Sequence, residues 1–368
     1  MISKFSIPFV DLTRQFKNIE SELLDEFIEV GRSGVYVLGE KVEYFEEQIS
    51  KYCGVRFAVS VANGSDALFL CLKALGIGPG DEVITPATSF IASTWVIEAA
   101  GAKPVLVDVR DDLNIDPEKM SEAVTKNTKC IIPVHFAGRS APMNEIMRVA
   151  DKGGIKVLED AAQAIGARYH NKSVGSFGIA GGFSLHPLKN LGLYGDGGVI
   201  TTDDESLAKK LRLLRNHGLE SRDHCTLWGY NSRLDSIQAA FASVKLKYLD
   251  VWNERCRAIS LKYQLALKDY TNVPYDKPWE KNVYHNFIIT TPSRDRLKAH
   301  LEGVGIGTAI HYPVPIHLQP VSRKLGYGIG SFPVSERLAE TMLSLPIYPE
   351  LLDSEIDQVI SEVRKFIG

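Results

Sequence analysis

The sequence predicts an α/β fold: a large domain whose mainly parallel sheet is sandwiched by helices, followed by a smaller C-terminal α+β domain. Two observations support this prediction. Up to about residue 200, short runs of β-branched and aromatic residues alternate with segments of helical periodicity. A chain of 368 residues is also long enough for two domains. We place the boundary near residue 250, so the predicted domains are residues 1–250 and 251–368.

Seven short segments are candidate strands of the large domain, because each is rich in residues that favour a pleated, buried surface. Gly, Pro or Asp flanks each of them. In chain order they are Phe57–Val61, Val83–Thr85, Val105–Val107, Cys130–Val134, Ile155–Leu158, Gly182–Leu185 and Val199–Thr201.

Helices are predicted where apolar residues recur every three or four positions. The clearest stripes are Phe16, Ile19, Leu23 and Phe27; Val42, Phe45, Ile49 and Tyr52; and Leu207, Leu211 and Leu214. Gly54 and Gly218 would end the second and third of these helices, and Asp116-Pro117 would begin another.

The small domain is predicted from the segments that follow a long helical stretch, Asp235 to Leu267. Val283–Thr290 and Ile306–His311 are strand-like, and Arg294–Val304 between them is helical. Closing helices complete this α+β arrangement.

The composition argues against several function classes. Lys and Arg number 42 and Asp and Glu 45, a formal net charge of -3, so the basic excess typical of nucleic-acid binding is absent. The first residues contain no apolar signal segment, and the most apolar later stretch, Phe90–Val109, is interrupted by charges. The five cysteines form no C-x-x-C pair, which suits a reducing compartment. We therefore expect a cytoplasmic protein without membrane or nucleic-acid partners.

Three familiar motifs are incomplete. Gly34 and Gly39 have P-loop spacing, but Glu40-Lys41 follows instead of Lys-Ser/Thr. The glycines of residues 76–80 follow a helix and precede a strand, the wrong order for a dinucleotide fingerprint. His217 and His224-Cys225 lack the spacing of metal ligands. We expect no metal site.

Three other segments are predicted to meet at the carboxyl ends of the strands, where open α/β sheets bind ligands. In the first, a strand runs through Gly64-Ser65 directly into an apolar helix, whose N-terminal N–H groups suit a phosphate. Ser65 or Asp66 could instead simply cap that helix. In the second, the strand ending at Leu158 is followed by Glu159 and Asp160, which could be a turn residue.

The third segment, Phe183–Gly192, runs from a strand into a loop that contains Lys189. A lysine in such a loop is usually a solvated charge. Here it lies between two apolar strands, and burial lowers a lysine pKa enough to make the amine a nucleophile. An amine for the aldehyde, a carboxylate for the pyridine nitrogen and a helix end for the phosphate are what pyridoxal phosphate requires.

From about Ile7 to Glu350 the chain resembles the DegT/DnrJ/EryC1/StrS sugar aminotransferases, enzymes of the aspartate aminotransferase fold (fold type I). The resemblance rests on a combination of motifs. These are Asn-Gly-Ser-x-Ala-Leu at 63–68, Glu-Asp-Ala-Ala-Gln at 159–163, Ser-x-x-Pro-x-Lys-Asn-Leu-Gly at 184–192, Gly-Asp-Gly-Gly at 195–198, Gly-Tyr-Asn-x-Arg-Leu at 229–234 and His-Tyr-Pro at 311–313.

The resemblance implies a role for each matching residue. Lys189 would form the Schiff base with pyridoxal 5'-phosphate, and Asp160 would pair with the pyridinium nitrogen. The remaining cofactor residues would be Gly64, Ser65 and Ser184 at the phosphate, Gln163 beside the ring hydroxyl, Phe90 stacked on the ring, and Asn231 reaching the phosphate from the partner subunit. His311, Tyr312 and His186 would face the substrate. Core packing is the alternative for Phe90, and a paired strand-end histidine is the alternative for His311.

The implied function is amino transfer from an amino acid, by analogy glutamate, through the pyridoxamine form of the cofactor to a keto sugar, most often nucleotide-linked. Such enzymes serve amino-sugar and cell-surface polysaccharide biosynthesis, here as a homodimer with a composite site. Two alternatives remain open: a sugar dehydratase on the same fold, and a catalytically silent sugar-sensing protein. Related dehydratases carry histidine in place of the Schiff-base lysine, so Lys189 favours amino transfer.

Overall fold

The computed structural model describes residues 5–368. Its helices follow the apolar stripes of the sequence. The α-helices within these residues are α1 (Leu12–Ser33), α2 (Glu40–Cys53), α3 (Gly64–Ala74), α4 (Ala92–Ala100), α5 (Pro117–Glu122), α6 (Met143–Gly153), α7 (Glu205–Leu214), α8 (Ser236–Leu246), α9 (Leu249–Leu267), α10 (Arg294–Gly303), α11 (Pro333–Thr341) and α12 (Asp353–Ile367).

The strands within the same residues form one large and three small sheets. They are β1 (Phe57–Val61), β2 (Glu82–Pro86), β3 (Lys103–Val107), β4 (Thr128–Ile131), β5 (Lys156–Asp160), β6 (Arg168–Tyr169), β7 (Lys172–Ser173), β8 (Ala180–Ser184), β9 (Gly198–Thr202), β10 (Leu219–Ser221), β11 (His224–Cys225), β12 (Glu280–Lys281), β13 (Phe287–Thr290) and β14 (Met342–Leu345).

The central sheet has the strand order β1-β9-β8-β5-β4-β2-β3. Its strands β8, β5, β4, β2 and β3 pair in parallel, and β9 runs antiparallel to both β1 and β8. The predicted α/β class with a mainly parallel sheet is confirmed, and each of the seven predicted segments overlaps one of these strands.

Both faces of the sheet are buried because its side chains alternate between two cores. Val59 and Ile200 pack with α3, α4 and α7 on one face. Their chain neighbours Ala58 and Val199 pack with α2 and α8 on the other. Parallel strands that are covered on both faces contain few polar residues. The strand ends are therefore where polar side chains can gather.

The N-terminal helices follow their predicted stripes, with one exception. In α2, Phe45 and Ile49 are fully buried, and Gly54 ends the helix in the left-handed conformation with φ 70°. In α1, Ile19 and Leu23 are buried, but Phe27 is 59% exposed. Phe27, the last member of that stripe, is therefore not buried by other residues of the described chain, 5–368.

The C-terminal part corrects three predictions. The long helical stretch is two helices, α8 and α9, because α8 packs on α1 and α2 while α9 packs on α12. The strand in residues 283–290 is only β13, and Ile306–His311 is not a strand: it makes isolated bridges through Ile306 and Ala309. The antiparallel partner of β13 is β14, which was not predicted. No comparable observation bears on the proposed domain boundary near 250, which stays a prediction.

Helix ends were predicted less well than helix positions. Pro117 begins α5 as expected, with the Asp116 carboxylate accepting the Glu118 N–H. In contrast, α7 ends at Leu214, and Gly218 lies in the turn beyond it. Across residues 5–368, no helix combines the length and the apolar character that crossing a membrane requires.

Candidate active site

A cavity of about 640 Å³ opens at the carboxyl ends of the parallel strands. Ten of the eleven residues predicted from the sequence line it. They are Gly64, Ser65, Phe90, Asp160, Gln163, Ser184, His186, Lys189, His311 and Tyr312. The eleventh, Asn231, is exposed and lies outside the lining of this cavity. The fold thus gathers residues from five separate stretches of sequence, while their individual roles remain predictions.

The N-terminus of α3 forms one wall of the cavity. Asn63, not Ser65 or Asp66, caps this helix, because its side-chain oxygen accepts the Asp66 N–H at 2.8 Å. Gly64 approaches β8 so closely that a Cβ atom there would lie 2.7 Å from Ser184 Cβ. A helix end and a hydroxyl residue therefore meet at one point, an arrangement that suits a phosphate.

Asp160 ends β5 in the opposite part of the lining. The Ser93 hydroxyl donates to Oδ2 at 2.7 Å, and the Ala162 N–H donates to Oδ1 at 3.2 Å. The second contact is the local turn that the alternative interpretation predicts, but it occupies only one oxygen. Burial raises the pKa of this carboxyl, with the Ser93 hydrogen bond and the Lys189 charge opposing it. A cation placed at Oδ2 would stabilise the ionised form.

The residue before Asp160 holds the strand end in place. The carboxylate of Glu159 accepts backbone N–H groups of Gly175, Phe177 and Gly178 at 2.6–2.8 Å. His135 Nε2 lies 3.0 Å from the same carboxylate, and His135 Nδ1 accepts the Ala141 N–H. Since Nδ1 is an acceptor, Nε2 carries the proton and donates to Glu159. The direction of Asp160 is therefore fixed by buried bonds behind it.

Lys189 lies in the loop after β8. Burial lowers its pKa to about 8, although the Asp160 carboxylate acts in the opposite direction. The loop is anchored by Asn190, whose amide donates to Asn253 Oδ1 at 2.7 Å and to the Val283 carbonyl at 3.1 Å. Lys189 is therefore a buried amine in a fixed loop, and the alternative of a solvated charge is wrong.

Aromatic side chains form another wall of the cavity. Phe90 is 53% exposed, so the alternative that it packs in the core is wrong, and its ring centre lies 5.8 Å from that of Tyr312. The Tyr312 hydroxyl accepts from Gln163 Nε2 at 3.4 Å, while Gln163 Oε1 accepts the Ala137 N–H at 2.7 Å. Burial raises the pKa of Tyr312, so its hydroxyl keeps its proton at neutral pH. The ring, amide and hydroxyl form one connected wall.

The two predicted substrate-facing histidines differ in environment. His311 Nδ1 lies 2.9 Å from Ser344 Oγ, as the alternative of a paired histidine predicts, and burial lowers its pKa to about 4. His186 is exposed, and its Nδ1 accepts the Leu188 N–H at 3.3 Å. A neutral His311 can offer a hydrogen bond to a bound sugar without adding a charge, and His186 is exposed at the cavity lining, where a sugar could reach it.

These residues fit pyridoxal phosphate. Among residues 5–368, no cation forms an ion pair with the buried carboxyl of Asp160, and a protonated ring nitrogen would supply one. The close approach of Gly64 to Ser184 forms a cradle that a larger residue would fill. The amine of Lys189 has the lowered pKa that bonding to an aldehyde needs.

Residues 17–364 match the DegT/DnrJ/EryC1/StrS aminotransferase family. The chain belongs to this family. It is 43% identical over 98% of both chains to a "Pleiotropic regulatory protein" of Geobacillus stearothermophilus. It is 41% identical to a dTDP-3-amino-3,4,6-trideoxy-alpha-D-glucose transaminase of Streptomyces venezuelae, over 98% of this chain and 96% of that one. The chain is accordingly an aminotransferase by family.

Solved structures agree with this family. Streptomyces venezuelae DesV in complex with a ketimine intermediate superposes with a TM-score of 0.97 at 41% identity, over 98% of each chain. NtdA of Bacillus subtilis with bound pyridoxamine phosphate gives a TM-score of 0.92 at 32% identity, over 98% of this chain and 85% of that one. Pyridoxal phosphate is the cofactor of this aminotransferase fold, and the cavity described above is where the chain has residues to hold it.

Sequence reasoning missed three residues of the site. Ser93 and His285 line the cavity, and His135 supports β5 from behind. Ser93 lies four residues after Ser89 and their hydroxyls are 2.9 Å apart, so a pair of serines at helical spacing was the available signal. His135 and His285 had no local signal, because only tertiary contacts give them partners.

Proposed function

We propose that this aminotransferase moves the amino group of L-glutamate to the keto group of a nucleotide-linked sugar. The observation that carries the proposal is that Lys189 and Asp160 line one cavity with the α3 N-terminus, in a chain of this family. Support for the substrate comes from the relatives, whose names include transaminases of dTDP- and UDP-linked sugars. The cavity of about 640 Å³ has room for a sugar beside a cofactor.

In this proposal, residues at different parts of the cavity hold the cofactor. Gly64, Ser65 and Ser184 bind its phosphate, and Asp160 pairs with its ring nitrogen. Gln163 lies beside the ring hydroxyl, and Phe90 stacks on the ring. When bound, the cofactor supplies an electron sink for the bond-breaking step at the amino-bearing carbon.

Lys189 Nζ moves the proton in this proposal. At pH 7, a pKa of about 8 leaves roughly a tenth of the amine neutral, against less than about a thousandth for an ordinary lysine. The free amine removes the α-proton of the donor as general base. It then gives a proton, as general acid, to the cofactor carbon that bears the transferred nitrogen. Asp160 stays ionised against the ring charge and so keeps the cofactor in its electron-withdrawing form.

A homodimer is the proposed functional unit. Asn231 lies outside the cavity of its own chain, although the resemblance assigns it to the phosphate. An apolar surface on α1, α2 and the segment between them is available for a second copy. Its exposed members are Leu24, Phe27, Ile28, Val35, Tyr36, Val37 and Tyr44. A twofold interface formed there would bury the uncovered end of the α1 stripe.

Mixed dimers test the composite site. Lys189→Ala and Asn231→Ala are each expected to be inactive or weak alone, because each removes one contribution to every site. Mixing and re-forming dimers should restore activity to about a quarter of the sites, since half the dimers are hybrids with one intact site. No recovery in hybrids confirmed by native mass spectrometry would contradict the shared site.

The function itself is tested with ¹⁵N-glutamate and a panel of nucleotide-linked keto sugars. Mass spectrometry should find a sugar product that carries ¹⁵N, and Lys189→Ala protein should form none. A product that has lost water and gained no nitrogen would show the dehydratase alternative. One observation favours a regulatory alternative, the name of the Geobacillus stearothermophilus relative. Tight sugar binding without turnover of any panel member would support that alternative and refute the proposal.

A further inference from the structure

His285 contacts the amine on which the proposed function depends. Its Nε2 lies 3.4 Å from Lys189 Nζ, and within residues 5–368 it is the one hydrogen-bond partner of that amine. Both side chains line the large cavity. They also line a second, small cavity of about 50 Å³ on their other side, so the pair forms part of the partition between the two spaces.

The backbone around His285 is fixed from both sides by the turn after β4. Val283 N–H donates to the Gly138 carbonyl at 3.0 Å, and Asn286 N–H donates to the Ala137 carbonyl at 3.3 Å. The approach is so close that a Cβ atom on Gly138 would lie 2.8 Å from His285 N. The backbone that carries the His285 side chain is therefore held in place by bonds that do not involve Lys189.

Burial, together with the positive charges that face His285, keeps its imidazole neutral. Burial is the largest effect, and the positive charge of Lys189 and the neighbouring His311 and His186 act in the same direction, so the pKa of His285 lies well below its usual value. Among the described residues, 5–368, no carboxylate contributes to this shift in the pKa of His285. A neutral imidazole facing an ammonium group accepts through its unprotonated nitrogen. Nε2 is then the acceptor and Nδ1 carries the proton.

We propose that His285 is a positioning residue for Lys189: its Nε2 accepts a hydrogen bond from the amine whenever the amine is not bonded to the cofactor. This inference rests on the proposed function, in which Lys189 is released as a free amine in each half-reaction. A lysine side chain has several rotamers, and a fixed acceptor restricts them. The bond therefore holds Nζ in the cavity for proton transfer.

Two variants separate hydrogen bonding from packing. His285→Gln keeps an acceptor oxygen, and His285→Met has a similar length but only the weak acceptor of a thioether sulfur. Loss of the acceptor is expected to lower kcat about tenfold in His285→Met with KM for glutamate unchanged, because the bond acts after binding. His285→Gln should recover most of that loss. Equal kcat values for wild type and His285→Met, or equal losses in both variants, would overturn the proposal.

A second readout does not depend on turnover. The pKa of the Lys189 amine can be measured in the full chain freed of cofactor, from the pH dependence of its acetylation by acetic anhydride, with mass spectrometry of the peptide that contains residue 189. An acceptor stabilises the protonated amine, so this pKa should fall by about half a unit or more in His285→Met and stay near the wild-type value in His285→Gln. An unchanged pKa in His285→Met would contradict the bond.

The wild-type protein gives a test that needs no variant. ¹⁵N NMR of the histidine-labelled full chain, freed of cofactor, should show a neutral His285 with the proton on Nδ1, and protonated Nε2 would overturn the proposal. This arm applies even where a variant does not fold. Failure of the inference is distinct from failure of the proposed function. If only the inference fails, the wild type still transfers ¹⁵N and His285→Met has the same kcat as the wild type. If the proposed function fails, the wild type transfers no ¹⁵N.

Discussion

Gly64→Ala should weaken cofactor binding by a steric mechanism. The added Cβ would lie 2.7 Å from Ser184 Cβ and 3.0 Å from Ser184 Cα, and neither atom is the end of a flexible side chain. Carbon atoms pack at about 3.5–4.0 Å, so α3 and β8 must separate by roughly 1 Å. Gly64 is a helical residue without a positive φ, so alanine suits the backbone conformation itself.

The size of the effect follows from the contact. Overpacking of this kind costs about 1–3 kcal/mol. The α3 N-terminus and Ser184 are the two proposed sources of phosphate contacts. Separating them therefore weakens these contacts, and cofactor binding becomes less favourable by about the same free energy. The dissociation constant for pyridoxal phosphate should therefore rise by roughly 5-fold to 150-fold.

The assay is titration of cofactor-free protein with pyridoxal phosphate, followed by absorbance. Gly303→Ala is the matched control, because a Cβ there meets no heavy atom within 4 Å and the residue lies at the end of α10. It should bind the cofactor as the wild type does. Wild-type affinity in Gly64→Ala, or an equal loss in Gly303→Ala, would refute the steric argument.

Three further predictions concern single side chains. Asp160→Asn should lower kcat at least about 100-fold and leave thermal stability unchanged or higher, since burial already disfavours the ionised carboxyl; a kcat near wild type would contradict its pairing role. Arg215→Met removes a buried partner of Glu46 and should cost about 3 kcal/mol in urea unfolding, whereas Lys51→Met, at an exposed pair, should stay within about 0.5 kcal/mol. The rate at which cofactor-free protein combines with pyridoxal phosphate should rise with pH around a midpoint near 8, because the neutral amine of Lys189 reacts; a midpoint above about 10 would contradict its lowered pKa.

The central sheet and the helices that cover it could be predicted because their signals are local. A strand buried on both faces reads as a short apolar run, and β1 was predicted to the residue, Phe57–Val61. The same logic predicted where the cavity lies, since polar residues such as Asp160 come directly after such runs and parallel strands end at one edge. The family motifs then named the residues that line the cavity.

The C-terminal part was harder to predict because its strand pairing is distant in sequence. β14 follows α11 directly and is short, so nothing local separates it from the end of a helix; its conformation is set by β13, more than 50 residues earlier. Similarly, Ile306 and Ala309 look like strand residues, but their partners are too far apart to form a ladder. Side chains such as His285 acquire a role only when such distant segments meet.

Two local details of the cavity also could not be predicted from the sequence. Asn63, Ser65 and Asp66 are all good capping residues, and only the backbone geometry selects Asn63. Phe90 begins the apolar stretch Phe90–Val109 and could be core, yet the turn after β2 leaves it in the cavity wall. In both cases several residues had the right chemistry, and position within the turn decided between them.

The central claim is that the amine of Lys189 is bonded to the cofactor, and one measurement tests it directly. Holoenzyme reduced with sodium borohydride, digested and analysed by tandem mass spectrometry should carry the phosphopyridoxyl group on the peptide that contains residue 189, at Lys189 itself. Lys189→Ala holoenzyme treated in the same way should carry none. A phosphopyridoxyl group on another lysine, or its persistence in Lys189→Ala, would contradict the account.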